Sequence, residues 1–277
     1  MSNINTHTSY MPIWPRRLYR KLLTLQSNLS SPQTTLSRTS PMAWYCSGST
    51  NTELVENLFK GGLIKNSRVK AAMLGVDRAH YAPSRPYSDS PQSIGHGATI
   101  SAPHMHGHAC EYLIDYLYPG ARVLDIGSGS GYLTHVLANL VTSPGSSDQG
   151  RVIGVDHIAE LVDLSRNNIN KSAEGRELQG SGKVEFIKAD GRLGWKDGAP
   201  YDAIHVGAAA ESLHPVLIEQ LRAPGRLFIP VESEKNGSML GSMGGQYIWV
   251  VDKKEDGSIH KEKVFQVCYV PLTDAPV

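Results

Sequence analysis

The residues with the types and spacing to do chemistry stand at the ends of short apolar runs. Asp125, Gly127, Gly129 and Gly131 fall at alternate positions after Val123 and Leu124. Glycine adopts positive φ freely and lets the backbone approach a ligand, so an acid followed by three such glycines can cradle a nucleoside at a strand end. The same residues would also serve a plain strand-to-helix turn. A dinucleotide fingerprint would put its last glycine at position 132, and Tyr132 stands there. Asp156 closes a second apolar run, where an ionised carboxylate can accept both hydroxyls of a ribose or cap the helix that begins at His157. Asp190, followed by Gly191, closes a third and is placed to accept from an adenine amino group. Ser101, two residues before Pro103, can either cap a helix start or offer its hydroxyl to a ligand. His104 and His108 have the spacing of a helical ligand pair, but no glutamate lies between them and no third ligand follows, so no metal is expected.

The elements that must position these residues follow from periodicity. Thr50 and Glu53 have capping-box spacing before an apolar stripe at Leu54, Val55 and Leu58, which predicts a helix ending at Gly61. A second helix is predicted from about Ser67. Residues 81 to 94 hold Pro83, Pro86 and Pro91 and predict a long irregular loop, a type of segment that usually carries function. A helix from Pro103 to the stop at Pro119 comes next. From residue 123 onward buried strands alternate with helices, with strands at 123 to 126, 152 to 156, 184 to 191, 201 to 207 and 225 to 231. Residues 247 to 251 and 264 to 270 flank a turn at Asp256-Gly257 and predict a closing antiparallel pair. Three strand ends carrying an acid or a glycine turn make one crevice, which favours an adenosine-containing cofactor. The fold class is therefore α/β, a doubly wound, seven-stranded and mostly parallel sheet with the last strand antiparallel and an N-terminal helical cap.

A chain of 277 residues with 40% hydrophobic and 19% charged residues is long enough to bury a substantial core. No apolar run reaches the length of a membrane span. Three widely separated cysteines argue for a reducing compartment and against a disulfide framework. Residues 1 to 41 contain Arg16, Arg17, Arg20, Lys21 and Arg38 and no acid; removing that +5 from the overall +1 leaves −4 on the body. Such an Arg-rich, Ser-rich, acid-free segment reads as an organellar transit peptide, a disordered tail or a weak nuclear address. Met42 would start a shorter cytoplasmic form. The domain plan is an extension over 1 to 41, then one domain over 42 to 277, with the cap and substrate loop to residue 100 and the cofactor-binding sheet after it.

Taken together these blocks carry a resemblance. The D-x-G-x-G-x-G run resembles the first motif of Rossmann-like methyltransferases. With residues 89 to 95, 99 to 106, 155 to 157, 190 to 192, 201 to 210 and 269 to 273, the chain over 42 to 274 resembles protein-L-isoaspartate O-methyltransferases. The resemblance implies S-adenosylmethionine as cofactor and S-adenosylhomocysteine as product. The substrate implied is the free α-carboxylate of L-isoaspartyl residues in damaged proteins, whose ester closes to a succinimide. It further implies Ser101 and Thr99 as the catalytic pair. Ala98, Ile100, His106, Asp125, Gly127, Ser128, Gly129, Gly131, Asp156, His157, Asp190, Gly191 and Thr273 would bind the cofactor. A carboxylate is already an anionic nucleophile and a sulfonium an activated donor, so neither general base nor metal is required. The partners expected are isoaspartyl proteins and peptides, with no nucleic acid and no membrane, and the chain is expected to be a monomer.

The pattern departs from the family at its carboxyl end. Glu232 replaces the usual glycine, residues 233 to 245 form a longer Gly-, Ser- and Met-rich stretch, and the polar tail that follows Thr273 in relatives is short, which predicts weaker cofactor retention. A small-molecule carboxyl methyltransferase would share the crevice but leave residues 101 to 106 unexplained. A nicotinamide oxidoreductase is disfavoured by Tyr132. A cofactor-binding adaptor without turnover is the alternative from another class.

Overall fold

The computed structural model describes residues 46–142, 150–233 and 245–273. Helix α1 (Asn51–Lys60) starts as its capping residues require, with the Thr50 hydroxyl accepting from the Glu53 amide at 3.1 Å. The Glu53 carboxylate reaches back one residue further than a capping box would, to the Ser49 amide and hydroxyl. Helix α2 (Ser67–Gly75) is capped by Asn66. Both helices pack their apolar stripes, Leu54, Val55, Leu58, Val69 and Met73, into the core on one face of the main sheet.

The expected irregular loop over 81 to 94 is mostly that, but its end enters a small hairpin. Strands β1 (Gln92–Gly95) and β2 (Ala98–Ile100) pair antiparallel around His96 and Gly97, at φ of 52° and 72°. Two consecutive positive φ values suit the right-handed twist of a tight hairpin, and they are unusual for a histidine. Helix α3 (Pro103–Leu113) follows and stops earlier than Pro119, passing into a 3₁₀ turn over Ile114–Tyr116.

The main sheet uses β3 (Arg122–Ile126), β4 (Arg151–Asp156), β5 (Val184–Lys188), β6 (Tyr201–Val206), β7 (Leu221–Glu232), β8 (Gln246–Lys253) and β9 (Ile259–Val267). They lie in the order β5-β4-β3-β6-β7-β8-β9; the first five run parallel, β8 opposes β7, and β9 opposes β8. Helices α4 (Tyr132–Val141), α5 (Ala159–Ile169), α6 (Ala173–Gly180) and α7 (Pro215–Glu219) complete the alternation; α6 is an extra helix that periodicity did not signal. Side chains alternate along β3, so Val123 enters the core under α1 to α5, while Leu124 and Ile126 enter the core on the other face with Leu217 of α7. Both faces are covered, which is why these strands read as continuous apolar runs. The order reverses at β3, and ligands of open α/β sheets bind where such a reversal parts the loops. The basic segment 1 to 41, Met42, most of the 233 to 245 stretch and the residues after Thr273 lie outside the described residues.

Candidate active site

At the carboxyl ends of β3, β4, β5 and β6 the sheet opens into a cavity of about 420 Å³, within the usual size for small-ligand sites. Its floor is the turn after β3, where Gly127 and Gly129 have φ of 75° and 54°. Asp156 and His157 bound one side, Gly191 the next, and Gly207 with Ala208 the side toward β6. Ala98 and Thr99 of the hairpin close the cavity from above, and residues 270 to 273, including Thr273, form its far wall. That wall is hooked onto the sheet by two backbone bonds: Ala209 N–H to the Val270 carbonyl at 2.8 Å, and Leu272 N–H to the Ala209 carbonyl at 2.7 Å.

Asp156 is the carboxylate that lines this cavity. Its two oxygens accept from the Gly129 and Ile158 amides, each at 3.1 Å. Burial pushes its pKa above the ordinary carboxylate value, outweighing those amides and the nearby His157. Asp190 stands outside the lining. Its carboxylate accepts from Arg192 at 2.7 to 3.1 Å, and this pairing holds its pKa down. Next to it, Gly191 leaves no room for a side chain, since a Cβ there would lie 2.3 Å from Ile126 Cγ2. Gly131, at φ 85°, does not face the cavity; a Cβ would meet the Ser165 Cβ at 2.8 Å, so this glycine lets α4 pack on α5.

Past Thr99, which lines both spaces, the cavity leads to a polar void of about 30 Å³ between Ile100, Ser101, His106, Ser128, Tyr132 and His205. Ser128 Oγ and Tyr132 OH are buried here with no partner, although buried polar atoms rarely stay unpaired. A ligand with a polar end would complete them. Ser101 does not take the capping role open to it: the N-cap of α3 is Ala102, and no side chain caps that helix. The Ser101 hydroxyl lies beside the Tyr269 phenol instead, whose pKa burial pushes up to about 12. Asp125 is fully engaged beneath the turn, with Oδ2 accepting from Thr134 at 2.6 Å and Oδ1 2.7 Å from His205 Nδ1.

His106 is buried, with its Nδ1 3.3 Å from Arg78 Nη1. A guanidinium only donates, so Nδ1 accepts and Nε2 carries the hydrogen. Burial, and then the Arg78 charge, hold its pKa well below the ordinary histidine value. The other two helical histidines go elsewhere: His104 pairs with Asp89 at 2.8 Å, and His108 packs its ring against Phe265. Among the described residues no group of three or more His, Cys, Asp or Glu is arranged for a metal. Glu232 is exposed at the end of β7 and lines neither space.

The structure thus brings most of the expected residues to two joined spaces and adds Arg78, His205 and Tyr269. His205 had a signal, a polar residue inside an apolar strand. Arg78 had none, because a lone arginine near a polar loop reads as solvated.

The chain matches the family model "Protein-L-isoaspartate(D-aspartate) O-methyltransferase (PCMT)" over residues 49–276. It is 44% identical to the protein-L-isoaspartate O-methyltransferase of Caenorhabditis elegans over 84% of this chain and 96% of that one. With the enzyme of the same name from Triticum aestivum it is 46% identical, over 80% and 91% of the two chains. A crystal structure from Plasmodium falciparum, described as a protein-L-isoaspartate O-methyltransferase in complex with S-adenosyl-L-homocysteine, superposes with a TM-score of 0.73 at 35% identity, covering 82% of this chain and 99% of that one. The chain therefore belongs to the protein-L-isoaspartate (D-aspartate) O-methyltransferase family.

Proposed function

We infer that this chain transfers the methyl group of S-adenosylmethionine to the free α-carboxylate of an L-isoaspartyl residue in a damaged protein, forming an ester that then closes to a succinimide. The observation that carries the reading is the junction of the two spaces: Thr99 lines both, and Ser101 stands on the lip with a hydroxyl that no helix end uses. The residues fit the cofactor, because the cavity offers a carboxylate for ribose hydroxyls, a turn of glycines at positive φ, and unpaired hydroxyls at its inner end. When bound, the cofactor supplies an activated methyl group on a sulfonium.

The remaining work falls to this chain's own groups. Asp156 would accept from the ribose, with His157 and Ala98 on the same cavity, while Ile100 lines the adjoining void toward the methyl end. Gly191 bounds the adenine end, with Asp190 next to it behind the lining, and Thr273 closes over the opposite side. Gly127, Ser128, Gly129 and Gly131 shape the turn, while Asp125 acts from beneath it through Thr134 and His205. The α-carboxylate is ionised at neutral pH and needs no base. Ser101 would donate to one of its oxygens and Thr99 would steady it, so that the carboxylate is held at the junction of the two spaces. Charge is neutralised as the bond forms, so a dry, fixed site helps; positioning of this kind can supply up to roughly 7 to 11 kcal/mol.

Residues 42 to 277 act as one monomeric unit whose partners are damaged proteins, and the slight acidity of this body gives nucleic acid no basic face. Residues 1 to 41 act as an address for an organelle or the nucleus, while a form starting at Met42 stays cytoplasmic; fusing the segment to a fluorescent reporter tests this. Activity is tested with labelled S-adenosylmethionine and two peptides that differ only in an isoaspartyl or aspartyl linkage. Base-labile label on the isoaspartyl peptide alone is expected. Cofactor binding without label on either peptide would sink the reading and favour an adaptor.

A further inference from the structure

Arg78 is fully buried, yet among the described residues it forms no ion pair. One amino group donates to the Ser101 carbonyl at 2.8 Å, the other to His106 Nδ1 at 3.3 Å, and Nε has no partner. The guanidinium also stacks over the Tyr132 ring, 5.1 Å from its centre. All three neighbours, Ser101, His106 and Tyr132, line the polar void. Asp89 is the carboxylate whose field reaches Arg78; its Oδ1 accepts from the His104 amide and lies 2.8 Å from the His104 ring, its Oδ2 is buried with no partner, and neither oxygen pairs with the guanidinium. Across the void both Asp125 oxygens are already hydrogen-bonded, one to Thr134 and one to His205. A buried cation with no direct ion pair is costly, and a sequence that keeps one beside a ligand space gains if an anion is bound there.

We propose that Arg78 is the fixed counter-charge for a carboxylate seated in the void behind Ser101, acting through Ser101 and His106 without touching it. The void of about 30 Å³ holds one small polar group. The Ser128, Tyr132 and Ser101 hydroxyls are on its walls, as is the His106 ring that Arg78 fixes with hydrogen on Nε2. The carboxylate comes either from the amino-acid end of the cofactor or from the isoaspartyl substrate. The proposal rests on the reading of this site as the methyl-transfer centre, and Arg78 is a positioning residue in it.

Arg78→Gln and Arg78→Lys separate the two sources. Calorimetry compares S-adenosylhomocysteine with 5′-methylthioadenosine, which lacks the amino-acid end, and steady-state kinetics follow an isoaspartyl peptide. If the carboxylate is the cofactor's, Arg78→Gln weakens S-adenosylhomocysteine about tenfold and leaves methylthioadenosine unchanged, as loss of a charge interaction in a partly buried site requires. If it is the substrate's, both nucleosides bind as before and the peptide KM rises about tenfold. In each case Arg78→Lys recovers most of the loss. Equal loss for both nucleosides would show that the guanidinium only holds the fold, and no loss at all would make the void a water site; either result overturns the proposal. Should Arg78→Gln not fold, the guanidinium Nε–H resonance of the unsubstituted protein decides. It should shift with S-adenosylhomocysteine or peptide and stay in place with methylthioadenosine, and a resonance unmoved by all three would refute the idea. Unchanged kinetics in Ser101→Ala would remove the underlying reading of the lip while leaving both Arg78 comparisons readable.

Discussion

Lowering the pH from 7.5 to 4.5 should loosen the junction between the N-terminal helices and the cofactor-binding sheet, and His135 should account for a measurable part of the loss. His135 lies on α4, buried at 1% exposure, and its Nδ1 is 2.6 Å from the Tyr81 hydroxyl. Tyr81 leads into the loop before the β1–β2 hairpin, so this bond ties that loop to the helix behind the glycine turn. The phenol donates, leaving the ring neutral, and burial lowers the pKa from the ordinary 6.5 to about 4. A depressed folded-state value means that the unfolded chain binds the proton first. The contribution is complete above 6.5 and is lost as pH falls toward 4. The gap is worth about 3 kcal/mol when fully lost, and between about 2 and 3 kcal/mol of it is gone at pH 4.5. Glu174 lies 3.9 Å from Nε2 but is half exposed, so solvent screens its attraction for the imidazolium. Urea unfolding at the two pH values, compared with His135→Asn, isolates the residue, because all other titrations are common to both proteins. The variant keeps an acceptor for Tyr81 and cannot titrate, so its stability should fall less by about that amount. Two profiles that run parallel within ~0.5 kcal/mol would refute the reasoning.

Other outcomes follow from the site. Ser101→Ala should lower kcat by about 10- to 100-fold with S-adenosylhomocysteine affinity held within about twofold, since its hydroxyl acts mainly on the reacting carboxylate; equal loss of both would make it a structural residue. Asp156→Asn should weaken cofactor binding by at least about tenfold, the cost of a hydrogen bond to a charged group. In the unsubstituted protein that affinity should hold above the raised Asp156 pKa and decline below it, because hydroxyl donors favour the ionised form; calorimetry across pH 4 to 7 should find the slope only in the unsubstituted protein. Gly191→Ala forces a methyl group to within 2.3 Å of Ile126 Cγ2 and should cost about 1 to 3 kcal/mol, with weakened cofactor binding. An unchanged melting temperature would show that the segment moves aside.

The parallel sheet was legible because strands buried on both faces must be continuously apolar, as the runs ending at Asp125 and Asp156 are, while the edge strand before Asp190 carries Glu185 and Lys188 alongside its buried residues. Their common edge followed from topology alone. What the chain hid was polar and buried. Arg78 stands in a 3₁₀ turn whose neighbours look solvated, and only the packing of α3 against it reveals its burial. The engagement of Asp190 with Arg192 depends on a turn that periodicity does not encode. The hairpin was obscured by a histidine at positive φ, where turn chemistry would lead one to look for glycine or asparagine. Ser101 illustrates the opposite case: its position before Pro103 is equally right for a cap, and only the folded structure, where no side chain caps α3, shows the hydroxyl left for the void.

The hook between Ala209 and residues 270 to 272 makes the cavity a joint between distant parts of the chain. One wall is the turn that follows the first strand of the main sheet, and the other is laid down after the last. A nucleoside bound between them therefore works as a clasp, and its binding energy adds to the stability of the whole fold in proportion to the logarithm of its concentration. Cofactor supply would then govern how long this repair protein itself survives unfolding as well as how fast it works.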